Sequence, residues 1–505
     1  MDIYYDPKLS ELKWLTYWNQ HKIYTFNKQS KKTIFSVDTP PPTVSGNMHI
    51  GHAFSYSQED FIVRYKRMKG YEVFFPFGTD DNGLATERLI EKLKNVKSKK
   101  MERKEFVNLC LATLHDIRPA FVEDWKRLGI SCDYDLFYST INNHCQKISQ
   151  KSFIDLYKKG LEYQKFAPLI FCPECKTVLA QVEMEDKEES SHLNYIKALM
   201  EDQTYIIYAT TRPELLYACV GMSIDEKGTY VKIALPHENW IVSKDALEKI
   251  GAWTNYNIIE EFPGKKLVGK KVTLPLSQTL VTLTQDKATE AKYGTGIVYY
   301  CTYGGLDRVE WMARHPDVQP LHIMGMDGKY NEKSGIIQGM HSPEARKHIL
   351  EALEKTKALV HKDPITHVVN VHERCGTAIE YIATKQWFIQ YLDKKKLLAK
   401  AGDALVWYPE HMKNRYDNWI KGLQWDWCIS RQRHFGIPIP VWYCNKCQGV
   451  LLPEEKDLPI DPLEDKPSKP CGCGSKEFTP EKDVLDTWAT SSLTPQIAAL
   501  LVPEK

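Results

Sequence analysis

Residues 33–37, TIFSV, form a short apolar run of the kind that fills a buried strand. Asp38-Thr39-Pro40-Pro41-Pro42 follows, and its successive prolines force an extended backbone. Ser45-Gly46-Asn47 reads as a turn. From His49 the apolar residues Ile50, Ala53, Phe54, Phe61, Ile62, Tyr65 and Met68 recur at helical spacing, and Gly70 supplies the stop. YEVFFPF, 71–77, reads as a second strand. Strand, turn, helix and strand within about 45 residues predict a βαβ unit, the seed of a parallel nucleotide-binding sheet in an α/β fold.

Helical periodicity fills 86–165, and the polar stretch KEESSH (187–192) predicts a boundary. Between about 193 and 365 the runs shorten and alternate, as in TYIIYATT, YVKIAL, KKVTLPL and TGIVYY, with one helical pattern near 343–355. This texture predicts a β-rich domain inserted between helical regions. A helical, Trp-rich texture returns from about 367, and 441–480 is a loop-rich cysteine segment. Three segments are therefore expected: 1–185 with the first half of a Rossmann-type catalytic domain, 186–366 as the insertion, and 367–505 as the return.

The length of 505 residues agrees with roughly two to four domains. With 43% apolar residues, 13 Trp, 27 Tyr and 17 Phe, a disordered chain is excluded. No run reaches the roughly 18 apolar residues of a membrane-spanning helix, so no membrane partner is expected. The first residues, MDIYYDPKLSELKW, lack a basic flank followed by an apolar core, so a cytoplasmic location is expected. A net charge of +2 does not announce a nucleic-acid partner. The 13 cysteines are odd in number and no secretory signal is visible, which favours metal knuckles over a disulfide framework.

His49-Ile50-Gly51-His52 opens the first helix after a strand. Unpaired N–H groups and the positive dipole end there suit phosphate, and Gly51 lets a ligand approach the backbone. Two imidazoles one turn apart can stabilise charge developing on phosphate oxygens. Gly78-Thr-Asp80-Asp81-Asn-Gly83 directly follows the second strand, where parallel sheets bind ligands. A carboxylate placed there can hold an ammonium group. Cys444-x2-Cys447 and Cys471-x-Cys473 supply four thiolates around a short loop, the pattern of a structural, closed Zn²⁺ site.

Thr39-Pro-Pro-Pro-Thr-Val-Ser-Gly-Asn-Met-His-Ile-Gly-His52 resembles the signature of class I aminoacyl-tRNA synthetases, in the branch that handles valine, isoleucine and leucine. Its PPP-x-V-[ST]-G form resembles the valine version, of the archaeal type. Further blocks match in order across the chain: Phe77–Gly83, Thr210–Glu214, Lys385–Phe388, Trp427–Gln432 and Asp486–Ser492. The resemblance implies ATP with Mg²⁺, valine and the valine tRNA as substrates. It implies that His49, Gly51 and His52 bind ATP, with His49 and His52 catalytic. Asp80 would hold the amino acid's ammonium group, with Pro41 and Pro42 walling the side-chain pocket and Trp427 or Phe435 closing it.

The resemblance also implies a second zinc. Cys172-x2-Cys175 lacks a near partner, and His372-Glu-Arg-Cys375 completes it, with His where the family more often has Cys. The insertion would hydrolyse mischarged tRNA, with Thr210, Thr211 and Arg212 positioning substrate. A hydrophobic pocket rejects threonine against valine by only about 10²-fold, a figure known for the valine enzymes themselves, so a second sieve is useful. Where the family shows two aspartates three apart, this chain has Gly305-Leu-Asp307-Arg308, and Asp307 is the survivor after a one-residue shift. The second signature, Lys-Met-Ser-Lys-Ser, does not occur; Lys466-Pro-Ser-Lys-Pro470 is a decoy inside the knuckle. A fragment, or a split gene whose separate C-terminal half carries that motif, is expected. An isoleucine-type enzyme and an editing-only or tRNA-binding fragment remain the alternatives.

Overall fold

The computed structural model describes residues 5–44 and 48–502, so the turn expected at Ser45-Gly46-Asn47 lies outside the described residues. The chain divides into two compact units, one of Met1–Gln164 with Gln386–Lys505, the other of Lys165–Lys385.

In the first unit, α1 (Pro7–Gln20) precedes β1 (Ile34–Ser36), α2 (Ile50–Met68), β2 (Glu72–Phe74) and β3 (Pro76–Thr79). Strand β1 pairs parallel to β2, with Phe35 opposite Val73. After β1 the chain continues alongside β3: Asp80 N–H donates to Pro42 O at 2.9 Å, and Val44 N–H donates to Asp80 O at 3.3 Å. Helices α3 (Gly83–Lys94) and α4 (Arg103–Leu128) lead to β4 (Asp133–Ser139) and α5 (Asn143–Lys158). Strand β4 interrupts the helical periodicity expected over 86–165. It lies parallel to β3, with Phe137 opposite Phe77. Its sequence, DYDLFYS, is too short and too aromatic to continue a helical stripe.

Phe75, Phe77, Ile90, Phe106, Leu114, Trp125, Ile429, Phe435 and Ile437 belong to one core. Phe435 lies in this core, with Trp427 packed against it. A buried ion pair between Glu87 on α3 and Arg433 stitches the returning segment to the front half, and Phe435 N–H donates to Glu87 Oε2 at 3.3 Å. Residues 441–480 carry a three-stranded sheet of Val450–Leu451, Trp442–Cys444 and Phe478–Pro480.

The second unit is built on a ten-stranded sheet. Its longest strand, β5 (Met184–Met200), runs antiparallel to β8 (Leu359–His372) from Met184–His372 to Ile196–Leu359. The KEESSH stretch sits inside β5 rather than at a boundary. Residues 185–188 are exposed one after another, so polarity there reports a ribbon wetted on both faces. Strand β8 likewise occupies the start of the region expected to be helical. Strands β6 (Tyr205–Thr210) and β7 (Ile297–Cys301) bring the candidate editing residues into the sheet, and α6 (Leu306–Arg314) follows β7. Helix α7 (Ser342–Lys355), expected near 343–355, packs Ala345, Ile349 and Leu353 into the unit's main core. The compact unit contains the whole of the expected 186–366 segment and extends beyond it at both ends.

Glu162, in the first unit, is 4% exposed, and its Oε2 is buried without a hydrogen-bond partner among the described residues. Burial pushes its carboxyl up to about 9. An acid whose folded pKa is raised favours folding while protonated, and that contribution is lost as pH climbs from about 4.5 to about 9. Glu162→Gln is therefore expected to stabilise the chain by about 3 kcal/mol at pH 7 and by little at pH 4.5. Urea unfolding at the two pH values checks this; an equal effect at both would refute the protonation argument.

Candidate functional site

His49 is the N-cap of α2, and its ring stacks on His52 with centroids 3.8 Å apart and planes at 17°. The two residues cap each other: each backbone N–H donates to the other's Nδ1 at 3.4 Å. With both Nδ1 atoms accepting, the proton of each neutral ring sits on Nε2. Burial, and then the charge of His49, lowers the proton affinity of His52. A Cβ on Gly51 would meet the His49 ring at 3.0 Å, so glycine keeps this first turn open. Trp125 underlies the turn, with its ring 5.7 Å from His52 and 4.3 Å from Tyr56. The result is a helix N-terminus flanked by two imidazole N–H donors, an arrangement suited to phosphate oxygens.

Asp80 lies beside Pro42 through the backbone bond described above, and both Pro41 and Pro42 are buried. Its carboxylate accepts from Thr140 Oγ1 at 2.8 Å. Asp81 points elsewhere: Arg118 reaches it at 2.8 Å, and Thr79 and Ser139 donate to the same oxygen. Trp427 Nε1 donates to Asp486 Oδ2 at 3.1 Å, and Arg431 Nη2 donates to that oxygen at 2.7 Å. Thr487 Oγ1 donates to Asn82 O at 3.3 Å. Gly83 has φ +75°, and a Cβ there would sit 1.9 Å from Thr487 Oγ1, so the Asp80–Gly83 turn and the Asp486 block fit only with glycine between them. Asp486 and Thr487 are not legible as site residues one by one. The signal for them was the ordered motif block containing both.

In the second unit Thr210 is buried and fully engaged. Its Oγ1 accepts from Arg212 N–H at 2.9 Å and meets Tyr299 OH at 3.0 Å, while Tyr299 OH donates to Arg212 O at 2.8 Å. The Arg212 guanidinium reaches Glu380 at 2.7 Å and Glu214 at 3.1 Å. Arg346 takes the other side of Glu214 at 2.8–3.0 Å, and Ser342 Oγ donates to Glu380 at 2.7 Å. Burial works against charge on Arg212, but Glu380 and Glu214 outweigh it and raise its pKa. Thr211 is half-buried, and among the described residues its hydroxyl has no such bonds. Asp307 stands on the first turn of α6, 62% exposed at its side chain and paired with Arg308. A cavity of about 40 Å³ lies behind this network, lined by Leu215, Thr302, Tyr303, His322, Tyr330 and Glu380.

Among the described residues, two clusters could hold a tetrahedral metal ion. Cys172, Cys175, His372 and Cys375 bring their donor atoms within 4.8 Å of one another, as do Cys444, Cys447, Cys471 and Cys473. Sulfur separations are 3.5 Å for Cys172–Cys375, 3.8 Å for Cys175–Cys375, 3.6 Å for Cys444–Cys473 and 3.5 Å for Cys447–Cys471. Metal–sulfur bonds of about 2.3 Å at tetrahedral angles require sulfurs about 3.7 Å apart, so both donor sets fit. His372 faces its cluster through Nδ1, 3.4 Å from Cys175 and from Cys375.

The network around Arg212 gives it a structural weight that Thr211 lacks. Arg212→Ala strands buried carboxylates and is expected to cost about 3–5 kcal/mol, whereas Thr211→Ala should stay within about 0.5 kcal/mol. Chemical unfolding of both variants checks this. Equal stability would mean that the ion pairs carry nothing.

A family model described as tRNA synthetases class I (I, L, M and V) matches residues 13–505. The valine--tRNA ligase of Thermoplasma volcanium is 44% identical over 490 residues, 97% of this chain and 58% of the relative. That of Thermoplasma acidophilum is 42% identical over 500 residues, 99% and 58% of the two chains. That of Rickettsia conorii is 39% identical over 496 residues, 97% and 56%. The chain thus spans less than three-fifths of the length of these relatives. A solved ternary complex of Agrobacterium radiobacter K84 LeuRS with tRNA and LeuAMS aligns at TM-score 0.45 and 18% identity, over 98% of this chain and 60% of that one.

Proposed function

The chain belongs to the class I tRNA synthetases of the isoleucine, leucine, methionine and valine group, and from that premise we propose that it is the amino-acid-activating and editing part of a valine--tRNA ligase. One observation carries this reading: the backbone bond from Asp80 to Pro42 sets a carboxylate-bearing residue beside the buried Pro41-Pro42 segment, in the chain that leads to the helix start bearing His49 and His52. Asp80 would hold valine's ammonium group, and Pro41 and Pro42 would face its methyl groups. A side chain one methylene longer would be discriminated by about 1–3 kcal/mol in such a recess. Trp427, fixed by Asp486, would close it.

Valine's carboxylate would attack the α-phosphorus of ATP, with pyrophosphate leaving. The α2 N-terminus and the Nε2–H groups of His49 and His52 would stabilise charge on the phosphate oxygens. No covalent enzyme intermediate is required. The cations that the family's second signature supplies for the outer phosphates would come from a C-terminal portion. Valine would then pass from the adenylate to the 3′ end of its tRNA. In the second unit Thr211 would meet the ester of a mischarged tRNA, with Arg212 shaping the loop. Cys172, Cys175, His372 and Cys375, and the knuckle of Cys444, Cys447, Cys471 and Cys473, would each hold a structural zinc, which supplies folding energy rather than catalysis.

A non-hydrolysable valyl-adenylate analogue at a hundredfold excess over its Kd is expected to stabilise the chain by about 2.7 kcal/mol. The isoleucyl analogue should give a smaller gain, and Asp80→Asn should remove most of it. Thermal unfolding reads this out; no shift, or a larger one with the isoleucyl analogue, would overturn the valine assignment.

Purified protein is expected to carry two zinc ions per chain, one for each four-donor cluster, with Cys375→Ser and Cys444→Ser each losing one. Elemental analysis that finds one ion, unchanged by Cys375→Ser, would remove the His372 site.

A further inference from the structure

Two acids, Glu481 and Asp483, tie together motif blocks that are far apart in the chain. They stand in Glu481-Lys482-Asp483, which runs directly into the Asp486 block. Glu481 Oε2 accepts from Trp387 Nε1 at 3.0 Å and from Tyr443 OH. Asp483 Oδ2 accepts from Gln432 Nε2 at 2.6 Å, and the same nitrogen donates to Gln386 Oε1 at 2.8 Å. Gln386 Oε1 also accepts from Ser430 Oγ at 2.6 Å, and Ser430 Oγ accepts from Trp387 N–H at 2.9 Å. Trp387 is thus held by its indole through Glu481 and by its backbone through the chain that starts at Asp483.

From Trp387 the bonds continue to the pocket proposed for valine. Ile429 N–H donates to Trp387 O at 2.9 Å, and Asp486 N–H donates to Ile429 O at 2.7 Å. Phe388 lies opposite Cys428 and Ile389 opposite Trp427. Asp486 holds the Trp427 indole and Arg431, as described above.

Asp483 is half-buried. Desolvation, and then the charge of Glu481, push its carboxyl up to about 7, while Gln432, Lys99 and Arg431 pull the other way. Lys99 stands on the Ser98–Lys100 turn, and its Nζ donates to Gln432 O at 2.7 Å. Arg431 lies opposite Val484 on the paired strand. Hydrogen bonds to an ionised acceptor are about twice as strong as those to a neutral one. Gln432 is therefore held firmly only while Asp483 carries its charge.

We propose that Asp483 is a proton-responsive positioning residue for the amino-acid pocket. Ionised, it fixes Gln432 and, through Gln386, Ser430 and Trp387, the segment that bears Trp427. Protonated, it loosens them, so amino-acid affinity rises with pH across neutrality. Folding pulls the opposite way: a raised acid stabilises the fold while protonated, and that contribution fades as pH climbs from about 4 to about 7. The identity of the ligand rests on the valine reading, so the first measurement uses no ligand.

Heteronuclear NMR of the free full-length chain follows the indole N–H signals of Trp387 and Trp427 between about pH 5.5 and 8.5, assigned with Trp387→Phe and Trp427→Phe. Both are expected to move with a common midpoint near 7 and to stay still in Asp483→Asn. Lys99→Gln, at an exposed position, should raise the midpoint. Glu481→Gln, which keeps an acceptor for the indole, should lower it. These two variants decide the matter even if Asp483→Asn does not fold. With the valyl-adenylate analogue, affinity should rise about fivefold more from pH 6 to pH 8 in the wild type than in Asp483→Asn. Indoles that titrate alike in the wild type and Asp483→Asn, midpoints unmoved by both charge changes, or equal pH dependence of affinity would overturn the proposal. An analogue that fails to bind while the indoles titrate as expected would uphold the positioning role and remove the valine assignment instead.

Discussion

Two backbone hydrogen bonds hold the candidate activation site together. Prolines have no N–H to give, so the segment Pro40–Pro42 can join a neighbouring strand only as an acceptor. Asp80 N–H donates to Pro42 O at 2.9 Å, and the first residue past the prolines able to reciprocate, Val44, donates to Asp80 O at 3.3 Å. The register so fixed places a carboxylate against a rigid, donor-free wall. The turn after Asp80 then receives the Asp486 block through Asn82 and Gly83, which carries Trp427 with it. Loss of that register would move the pocket wall, the carboxylate and the indole together.

Charge is committed to architecture more often than the sequence suggests. Asp81 is one residue from Asp80 yet is neutralised by Arg118, and Glu87 is absorbed by Arg433. Arg212, expected beside substrate, is braced by Glu214 and Glu380, which in turn engage Arg346 and Ser342. Buried pairs of this kind are expensive to break and contribute less than their Coulomb energy when intact, because each partner has been removed from water. They specify where the loops sit. Thr211, one residue away and half-buried, stands outside the network.

The first βαβ unit could be read because β1 lies in a short apolar run closed by prolines, α2 keeps one helical period over its length, and Gly70 ends the helix where expected. The two four-donor clusters could be read because cysteine pairs at fixed spacing have few other uses. What escaped was tertiary. Strand β4 hides among helices because its seven residues are too few to establish an alternation. The ribbon of β5 and β8 was mistaken for a boundary and for helix because a strand wetted on both faces has no hydrophobic face to reveal it. The carboxylate partners of Arg212, Glu214 and Glu380, lie 2 and 168 residues away in the chain, and Arg346 lies 132 residues from the Glu214 it engages; no local pattern connects them.

The reciprocal capping of His49 and His52 binds two roles into one object. Each imidazole lends its Nδ1 to the helix end and keeps its Nε2 for another partner. Neither residue can change without loosening the other's ring, so their contributions are thermodynamically coupled rather than additive. Such a pair has no viable half-way form. Drift through either single substitution costs both the cap and the donor geometry, which confines sequence variation at this turn to changes that preserve both rings.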